Sequence, residues 1–275
     1  MTAGAAPSLD AYLREFARHG GTDDGYLRQH WPRFVRTKAI FEQDWARRDA
    51  RVLDVGAHWL HQALLFAQDG YRVTGADLAT TLAAPNVVAL AEAHGIALVP
   101  IDDLAAPAAL GQLPDNAFDV VIAGEILEHL AFNPVTLWRE LHRLLAEGGR
   151  IVVTTPNHYA LTRRHAARWM TLLQGGGITV DEILATPTHG HHWKEYARSE
   201  VVRYFTLLSP DFALHRALYV EDAAPAPEPV VRRLARAIRR CVPPLRERLH
   251  VEIDLPRKAR GVVVEPRWDR GQRAL

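Results

Sequence analysis

Cysteine is almost absent from this chain of 275 residues, in which Cys241 is the only example. A single thiol excludes a disulfide framework and any zinc or iron–sulfur site built from cysteines, so metal ligands would have to be histidine and carboxylate. The chain also lacks a run of about 18 apolar residues, as a membrane span requires, and a signal-peptide pattern in its first residues. We therefore expect a cytoplasmic protein.

A large net charge is lacking as well, because 33 basic residues nearly balance 32 acidic ones. No overall field attracts a polyanion, so nucleic acid is not the expected partner unless a local patch binds it. Apolar residues make up 48% of the chain and charged residues 24%, which excludes intrinsic disorder as a description of the whole. The length fits one large domain or one domain with appendages, and nothing in the composition indicates an oligomeric state.

The hydrophobic pattern changes in character at residue 51. Before it, residues 9–46 have helical spacing that predicts two or three helices, and after it short apolar runs alternate with helical stretches. This alternation is typical of βαβ units and predicts an α/β fold with a doubly wound, mostly parallel sheet. The predicted strands are 51–56, 71–77, 97–102, 118–123 and 150–155, and the predicted helices between them are 59–69, 85–94 and 135–146. Further on, we expect a helix at 198–208 and closing strands at 212–220 and 261–264.

The first predicted strand ends in Asp54-Val-Gly56 and continues directly into a helix. A glycine there lets a ligand approach the backbone, and the free N–H groups at the start of a helix offer it hydrogen bonds. Asp77 ends the next strand, where a carboxylate can accept hydrogen bonds from two ribose hydroxyls. The alternative is structural, with Gly56 as a turn glycine and Asp77 as the N-cap of the following helix.

Further motifs follow in order along the chain, namely Gly75-Ala-Asp77, the pair Asp102-Asp103, and the segments 118–130 and 144–157. Together they resemble the class I S-adenosylmethionine-dependent methyltransferases over residues 45–210. The resemblance implies a Rossmann-like, seven-stranded sheet with helices on both faces and bound S-adenosylmethionine. It implies that Asp77 binds the ribose, that Asp102 or Asp103 binds the adenine amino group, and that Gly56 binds the methionine portion. The implied cofactor-binding residues are Asp54, Gly56, His58, Asp77, Asp102, Asp103 and Glu125.

The chain departs from this family at His58 and Leu60, which stand where the family usually has its second and third glycines. The imidazole of His58 would either crowd the methionine end of the cofactor or form a hydrogen bond to cofactor or substrate. A methyltransferase fold that has lost its cofactor is the alternative that this departure supports.

On this interpretation the chain has three parts. Residues 1–46 form an N-terminal helical cap, and residues 47–225 form the cofactor-binding domain with a substrate loop at 175–197. Residues 226–275 add a basic helix and a closing strand to the same domain. The proline-rich tract at 223–229 predicts a stiff turn or linker.

Glu125, Glu128 and His129 follow the fourth predicted strand at positions i, i+3 and i+4, so a helical turn would place them on one face. Two carboxylates that close raise each other's pKa unless a cation lies between them. A second polar segment, residues 188–198, has His192 three residues before Glu195. Both segments resemble small-RNA 3′-end 2′-O-methyltransferases, in which such residues bind a metal, and more loosely the ubiquinone-pathway O-methyltransferases.

Three interpretations of these residues stay open. In the first, a divalent metal is bound by Glu125, Glu128, His129 and His192, a set that suits manganese, iron, cobalt or zinc better than magnesium. In the second, the site is metal-free, with Glu125 in the site and His129 or His192 as the catalytic base. In the third, the segment is only a helix start whose acids favour the helix dipole.

Residues 231–260 contain ten Lys or Arg and three acids, a local charge of +7. Leu234, Ile238, Cys241 and Leu245 recur there at near-helical spacing, which predicts a basic amphipathic helix ending at Pro243–Pro244. A packed helix with a solvated basic face is the commoner explanation of such a pattern. Contact with a membrane surface or with a phosphate-rich ligand is the alternative.

The function expected from these features is methyl transfer to a hydroxyl of a small molecule. Resemblance to methyltransferases of polysaccharide pathways favours a sugar or another polyol, in a glycan or a secondary metabolite, as the acceptor. The alternatives are a 2′-O-methyltransferase of an RNA end, for which the segment 231–260 would contact phosphates, and a cofactor-free binding protein.

Overall fold

The computed structural model describes residues 8–161, 180–185, 188–221 and 230–266. The predicted linker at 223–229 lies outside the described residues, as do residues 175–179 and 186–187 of the predicted substrate loop. Two helices form the predicted cap, α1 (Leu9–Arg18) and α2 (Asp24–Phe41). The side chains of Ser8 and Asp23 cap them by accepting hydrogen bonds from backbone N–H groups of the first turn.

A single seven-stranded sheet follows, and it confirms the predicted mostly parallel α/β fold. Its strands are β1 (Arg51–Val55), β2 (Arg72–Leu78), β3 (Ala97–Ile101), β4 (Phe118–Gly124), β5 (Leu145–Pro156), β6 (Ala213–Val220) and β7 (Arg248–Leu255). They lie in the order β3-β2-β1-β4-β5-β7-β6. The first five are parallel, whereas β7 is inserted antiparallel between β5 and β6. The strand order reverses beside β1, and ligands of open α/β sheets bind at such a reversal.

Helices connect and cover the strands. They are α3 (His61–Ala67), α4 (Ala79–Leu82), α5 (Pro85–His94), α6 (Ala108–Gly111), α7 (Val135–Leu144), α8 (Val180–Ala185), α9 (Arg198–Leu208) and α10 (Val230–Cys241). Gly95 ends α5 in the left-handed conformation, as expected for a C-terminal glycine. Among the described helices, none combines the length and the apolar character that crossing a membrane would require.

Alternate residues of each strand face opposite sides of the sheet, and each side has its own apolar core. Val52 belongs to the core that includes the cap, together with Tyr12 and Phe41, whereas Leu53 belongs to the core that includes Trp138 of α7 and Phe205 of α9. The cap is therefore packed on one face of the sheet, beside the reversal of the strand order.

The predicted closing strand is wrong in its position. No strand forms at 261–264, and the closing strand is β7, in a region that the sequence interpretation assigned to the basic segment. Leu249, Val251, Ile253 and Leu255 alternate along β7 and are fully buried, or nearly so. The polar partners between them are ion-paired, because the buried Glu252 accepts hydrogen bonds from Arg150 and His250. The ion-paired residues of β7 therefore hid its alternating apolar pattern, and the sequence did not predict a strand there.

Candidate active site

A cavity of about 830 Å³ opens at the carboxyl ends of β1, β2 and β4. Its lining comes from these strand ends, from α2, and from the loop that precedes α9. The volume lies within the range of about 300–1,000 Å³ that is usual for small-molecule sites. The cavity therefore has the size and the place expected for a ligand of a doubly wound sheet.

The turn between β1 and α3 has left-handed backbone at three alternate positions. The φ angles are 76° at Gly56, 49° at His58 and 65° at Leu60. A residue with a β-carbon is strained in this conformation by about 1–2 kcal/mol. The turn thus keeps the backbone of a glycine-rich turn, although two of its three left-handed positions are not glycine.

Gly56 is required for packing as well as for its φ angle. A β-carbon at this position would overlap the side chain of Ile126, which follows β4. Part of the room that we expected a ligand to use beside Gly56 is therefore filled by Ile126. The backbone of Gly56 still lines the cavity.

His58 lies between this turn and the cap. Its ring centroid is 4.0 Å from that of Trp59 and 5.2 Å from that of Tyr26 on α2. Burial lowers the pKa of His58, which favours the neutral imidazole. Among the described residues, no group forms a hydrogen bond with its buried Nδ1.

Asp54 and Asp77 face each other across the carboxyl ends of β1 and β2, and they differ in their surroundings. Asp77 accepts hydrogen bonds from the backbone N–H groups of His58 and Leu78, both at 2.6 Å. Asp54 is buried, and burial together with the charge of Asp77 raises its pKa to about 8. Its Oδ2 has no hydrogen-bond partner within the described ranges. At neutral pH Asp54 is therefore mostly a neutral acid that can donate a proton to a hydrogen bond.

The pair Asp102 and Asp103 follows β3 at the rim of the cavity, where both side chains are exposed. Asp103 accepts a hydrogen bond from the backbone N–H of Ala105 at 2.8 Å. The structure thus brings all seven residues of the predicted cofactor set to one cavity.

Glu125 directly follows β4, in left-handed backbone with φ 56°. Arg248 of β7 donates a hydrogen bond to its Oε2 at 2.5 Å, and a guanidinium nitrogen of Arg33 lies 3.5 Å from the same atom. Burial would raise the pKa of Glu125, but the two arginines outweigh burial and lower it. Glu125 is therefore an ionised carboxylate that is held by two cations.

Glu128 lies one short turn further on, in the 3₁₀ helix Leu127–His129, and has no exposed surface. Thr155 donates a hydrogen bond to its Oε2 at 2.9 Å. Burial, reinforced by the charge of Glu125, raises the pKa of Glu128 well above its usual value. The pKa values of the two glutamates that sequence spacing placed together are thus shifted in opposite directions.

His129 and His192 meet edge to face above Glu128, with ring centroids 4.7 Å apart. One ligand atom from each of the three residues lies within 4.8 Å of the others. Two contacts hold the loop that carries His191 and His192 in place. The backbone N–H of Trp193 donates a hydrogen bond to the carbonyl oxygen of Glu128 at 2.7 Å, and Nδ1 of His129 lies 3.2 Å from the carbonyl oxygen of His191. The structure therefore joins three of the four predicted metal-site residues, and Glu125 is paired with arginines beside them.

Comparison with known proteins adds the family. Residues 53–153 match the family model of a methyltransferase domain. This match, over 101 of the 275 residues, and the fold support a relationship to the class I S-adenosylmethionine-dependent methyltransferase superfamily. No curated protein has a matching sequence.

Solved structures share this methyltransferase fold at low sequence identity. One is a chain of the complex between the Haloferax volcanii Trm112 methyltransferase activator and a methyltransferase, with 17% identity, TM-score 0.56, and coverage of 92% of this chain and all of that one. Another is a Burkholderia thailandensis 1,6-didemethyltoxoflavin-N1-methyltransferase with bound S-adenosylhomocysteine, with 18% identity, TM-score 0.52, and coverage of 95% and 93%. A third is a Mesorhizobium loti S-adenosylmethionine-dependent methyltransferase, with 17% identity, TM-score 0.52, and coverage of 82% and 96%. These likenesses show the fold.

Sequence analysis missed the part of this methyltransferase site that the cap supplies. Tyr26, His30 and Arg33 lie at i, i+4 and i+7 on α2 and line the cavity. Burial, with Arg33 and Arg248 nearby, lowers the pKa of His30 to about 4. The spacing of these three residues along one side of a predicted helix was the available signal.

Proposed function

We propose that this methyltransferase transfers the methyl group of S-adenosylmethionine to a hydroxyl of a small molecule, with a sugar or another polyol as the favoured acceptor. The observation that carries the proposal is the position of Glu128, His129 and His192. They converge within the same cavity as Asp54, Gly56 and Asp77, so groups able to handle a proton or a metal lie next to the expected methyl donor.

The cofactor residues fit a ligand with ribose and amino-acid parts. Each carboxylate oxygen of Asp77 accepts one backbone N–H, so it keeps a lone pair for a ribose hydroxyl. Asp54 Oδ2 and His58 Nδ1 are buried polar atoms without a hydrogen bond to any described residue, and a polar ligand would supply one. Arg33 adds a cation suited to the carboxylate of the methionine portion. Asp102 and Asp103 stay the proposed partners of the adenine amino group.

The chemistry needs a group that removes a proton. S-adenosylmethionine held beside Asp54, Gly56 and Asp77 would supply a methyl group on a positively charged sulfur for transfer to the acceptor oxygen. The hydroxyl proton must then leave, and His129 or His192 is placed to take it as a base. Glu195 has an oxygen 3.9 Å from His192 Nδ1 and lies beside this candidate base. The walls of the cavity hold the acceptor and exclude water.

A divalent metal is the second way in which the same cluster would act. Two imidazoles and one carboxylate are ligands that manganese, iron, cobalt and zinc accept, and such a metal would lower the pKa of a bound hydroxyl. Glu128 would bind the metal as a carboxylate, whereas Glu125 stays with its arginines. In this form the metal ligands are Glu128, His129 and His192.

The cofactor assignment is tested by calorimetric titration of the chain with S-adenosylhomocysteine. Asp77→Ala should weaken binding about tenfold to a hundredfold, because a hydrogen bond to a charged group contributes about 1.5–3 kcal/mol. Asp115→Ala is the matched control, since that side chain is 68% exposed and pairs only with Arg143 among the ion pairs described. Equal affinity in the two variants would contradict the ribose assignment, and no binding by the unchanged chain would support the cofactor-free alternative.

The metal and base mechanisms are separated by chelation and add-back. The metal mechanism predicts that chelated protein loses turnover and regains it with Mn²⁺, and that His192→Ala loses Mn²⁺ binding measured by electron paramagnetic resonance. The base mechanism predicts turnover that survives chelation. Release of S-adenosylhomocysteine is followed with sugars, polyols and a short RNA, and preference for the RNA would favour the 2′-O-methyltransferase alternative.

A further inference from the structure

A surface helix usually packs its apolar face against the protein and exposes its charged face. The basic amphipathic helix α10 has the opposite orientation. Arg239 is only 5% exposed and faces the body of the protein. It forms ion pairs with Glu221 and Glu247 and donates a hydrogen bond to the carbonyl oxygen of Leu161 at 2.8 Å. A buried, multiply bonded arginine thus determines which side of α10 faces inward.

The apolar side of α10 consequently faces outward. Val230, Leu234 and Ile238 follow one another at intervals of four residues and are 69%, 64% and 41% exposed, and Val242 beyond the helix is 42% exposed. The expectation of a helix packed by its apolar face is therefore wrong, because arginine and not leucine provides the contact with the domain.

Positive charge flanks this apolar line. Arg233 and Arg240 are exposed on α10, and residues 230–246 contain no acidic residue. The nearby acids Glu221 and Glu247 are both paired with Arg239. The outer surface of α10 therefore combines exposed aliphatic side chains with arginines and offers no carboxylate of its own.

We propose that α10 binds the surface of a bilayer that contains anionic lipids. Such a surface offers phosphates to Arg233 and Arg240 and an acyl layer to Leu234 and Ile238, so it matches both halves of the helix. A nucleic acid would satisfy only the arginines. A second copy of the chain would bring arginines against arginines. The helix has 12 residues and is about 18 Å long, which suits a helix lying on a bilayer.

The test is co-sedimentation of the full chain with vesicles of phosphatidylcholine, with or without phosphatidylglycerol. Binding is expected only with phosphatidylglycerol and is expected to weaken in high salt. Arg233→Gln with Arg240→Gln should weaken binding about thirtyfold, given the usual contribution of an arginine near an anionic surface. Leu234→Glu with Ile238→Glu should abolish it.

Leu207→Glu is the matched control, because Leu207 is 56% exposed on α9 and should leave vesicle binding unchanged. Affinity for S-adenosylhomocysteine verifies that each variant is folded. Absence of binding to anionic vesicles, or equal binding to both vesicle types, would overturn the proposal. So would binding that depends on the arginines but not on Leu234 and Ile238, which indicates a polyanion, or a dimer in light scattering that Leu234→Glu dissociates.

Discussion

The two halves of the cavity each contain a pair of carboxylates, and the pairs are built differently. The cofactor half contains Asp54 and Asp77, and the catalytic half contains Glu125 and Glu128. In each pair burial raises the pKa of one acid, which is Asp54 in the cofactor half and Glu128 in the catalytic half. The partner acid is bound by backbone N–H groups in the first pair and by two arginines in the second. Asp77 can therefore accept further hydrogen bonds from neutral hydroxyl groups, whereas Glu125 is already ion-paired with Arg33 and Arg248.

This difference assigns different tasks to similar residues. In the proposed function, the cofactor half would accept hydrogen bonds from the hydroxyl groups of a ribose. In the catalytic half the pKa of Glu125 is lowered and that of Glu128 is raised, and the histidines next to Glu128 are the proposed groups to take a proton or bind a metal. Variants of the two halves should consequently fail in different measurements.

The largest effect is expected from the histidines of the catalytic half. His129→Ala and His192→Ala should each lower methyl transfer by about two to four orders of magnitude, the usual contribution of an acid–base group. Both should leave affinity for S-adenosylhomocysteine within about threefold of the unchanged chain, because neither belongs to the cofactor half. Loss of a hydrogen bond to the ligand would weaken affinity by about that factor or more.

The measurement is release of S-adenosylhomocysteine, with calorimetry on the same samples. His94→Ala is the matched control, since His94 lies at the end of α5 and interacts with Glu15 far along the chain. Retention of turnover in both variants would contradict the assignment of His129 and His192 to the catalytic site.

The next effect is on stability and compares Glu125, in the cavity, with the more exposed Glu140. Glu125→Ala should lower the free energy of unfolding by about 3 kcal/mol, because it removes the carboxylate that the buried Arg33 and the partly buried Arg248 share. Glu140→Ala removes a more exposed ion pair with Arg143 and should cost less than about 1 kcal/mol. Urea unfolding compares the two, and equal losses would show that the buried pairing is not an important source of stability.

The sequence predicted the cofactor half better than the catalytic half, for a physical reason. The turn after β1 and the acid that ends β2 follow from local pattern, because strand ends and turns are properties of neighbouring residues. The state of Glu125 depends on Arg248, which lies 123 residues away on a strand that its charged residues concealed. The contribution of α2 depends likewise on how the cap packs against the sheet. Local spacing found the acids, and only tertiary contacts decide which one carries a charge.

The pH dependence of stability sharpens the comparison at Asp54. With its pKa raised to about 8, folded Asp54 keeps a proton that the unfolded chain has released above its ordinary value. A proton held only by the folded state makes stability fall as pH rises, by about 1.4 kcal/mol per pH unit in this window. Asp54→Asn should remove this part of the slope between about pH 5 and pH 8.

Urea unfolding at several pH values measures that slope. The control Asp115→Asn should keep the slope of the unchanged chain, since its carboxyl is exposed. A slope that is the same in Asp54→Asn and in the control would show that Asp54 is ionised in the folded protein.

The smallest effect is expected at His58, where the cofactor half departs from its family. His58→Gly relieves left-handed strain of about 1–2 kcal/mol but increases the freedom of the unfolded chain and removes the ring contact with Trp59. Stability should therefore change by less than about 1 kcal/mol. Because the buried Nδ1 lacks a hydrogen bond to the described residues, it is available to the ligand, and its loss should weaken S-adenosylhomocysteine binding about threefold to tenfold. Tighter binding by His58→Gly would instead show that the imidazole crowds the methionine end of the cofactor.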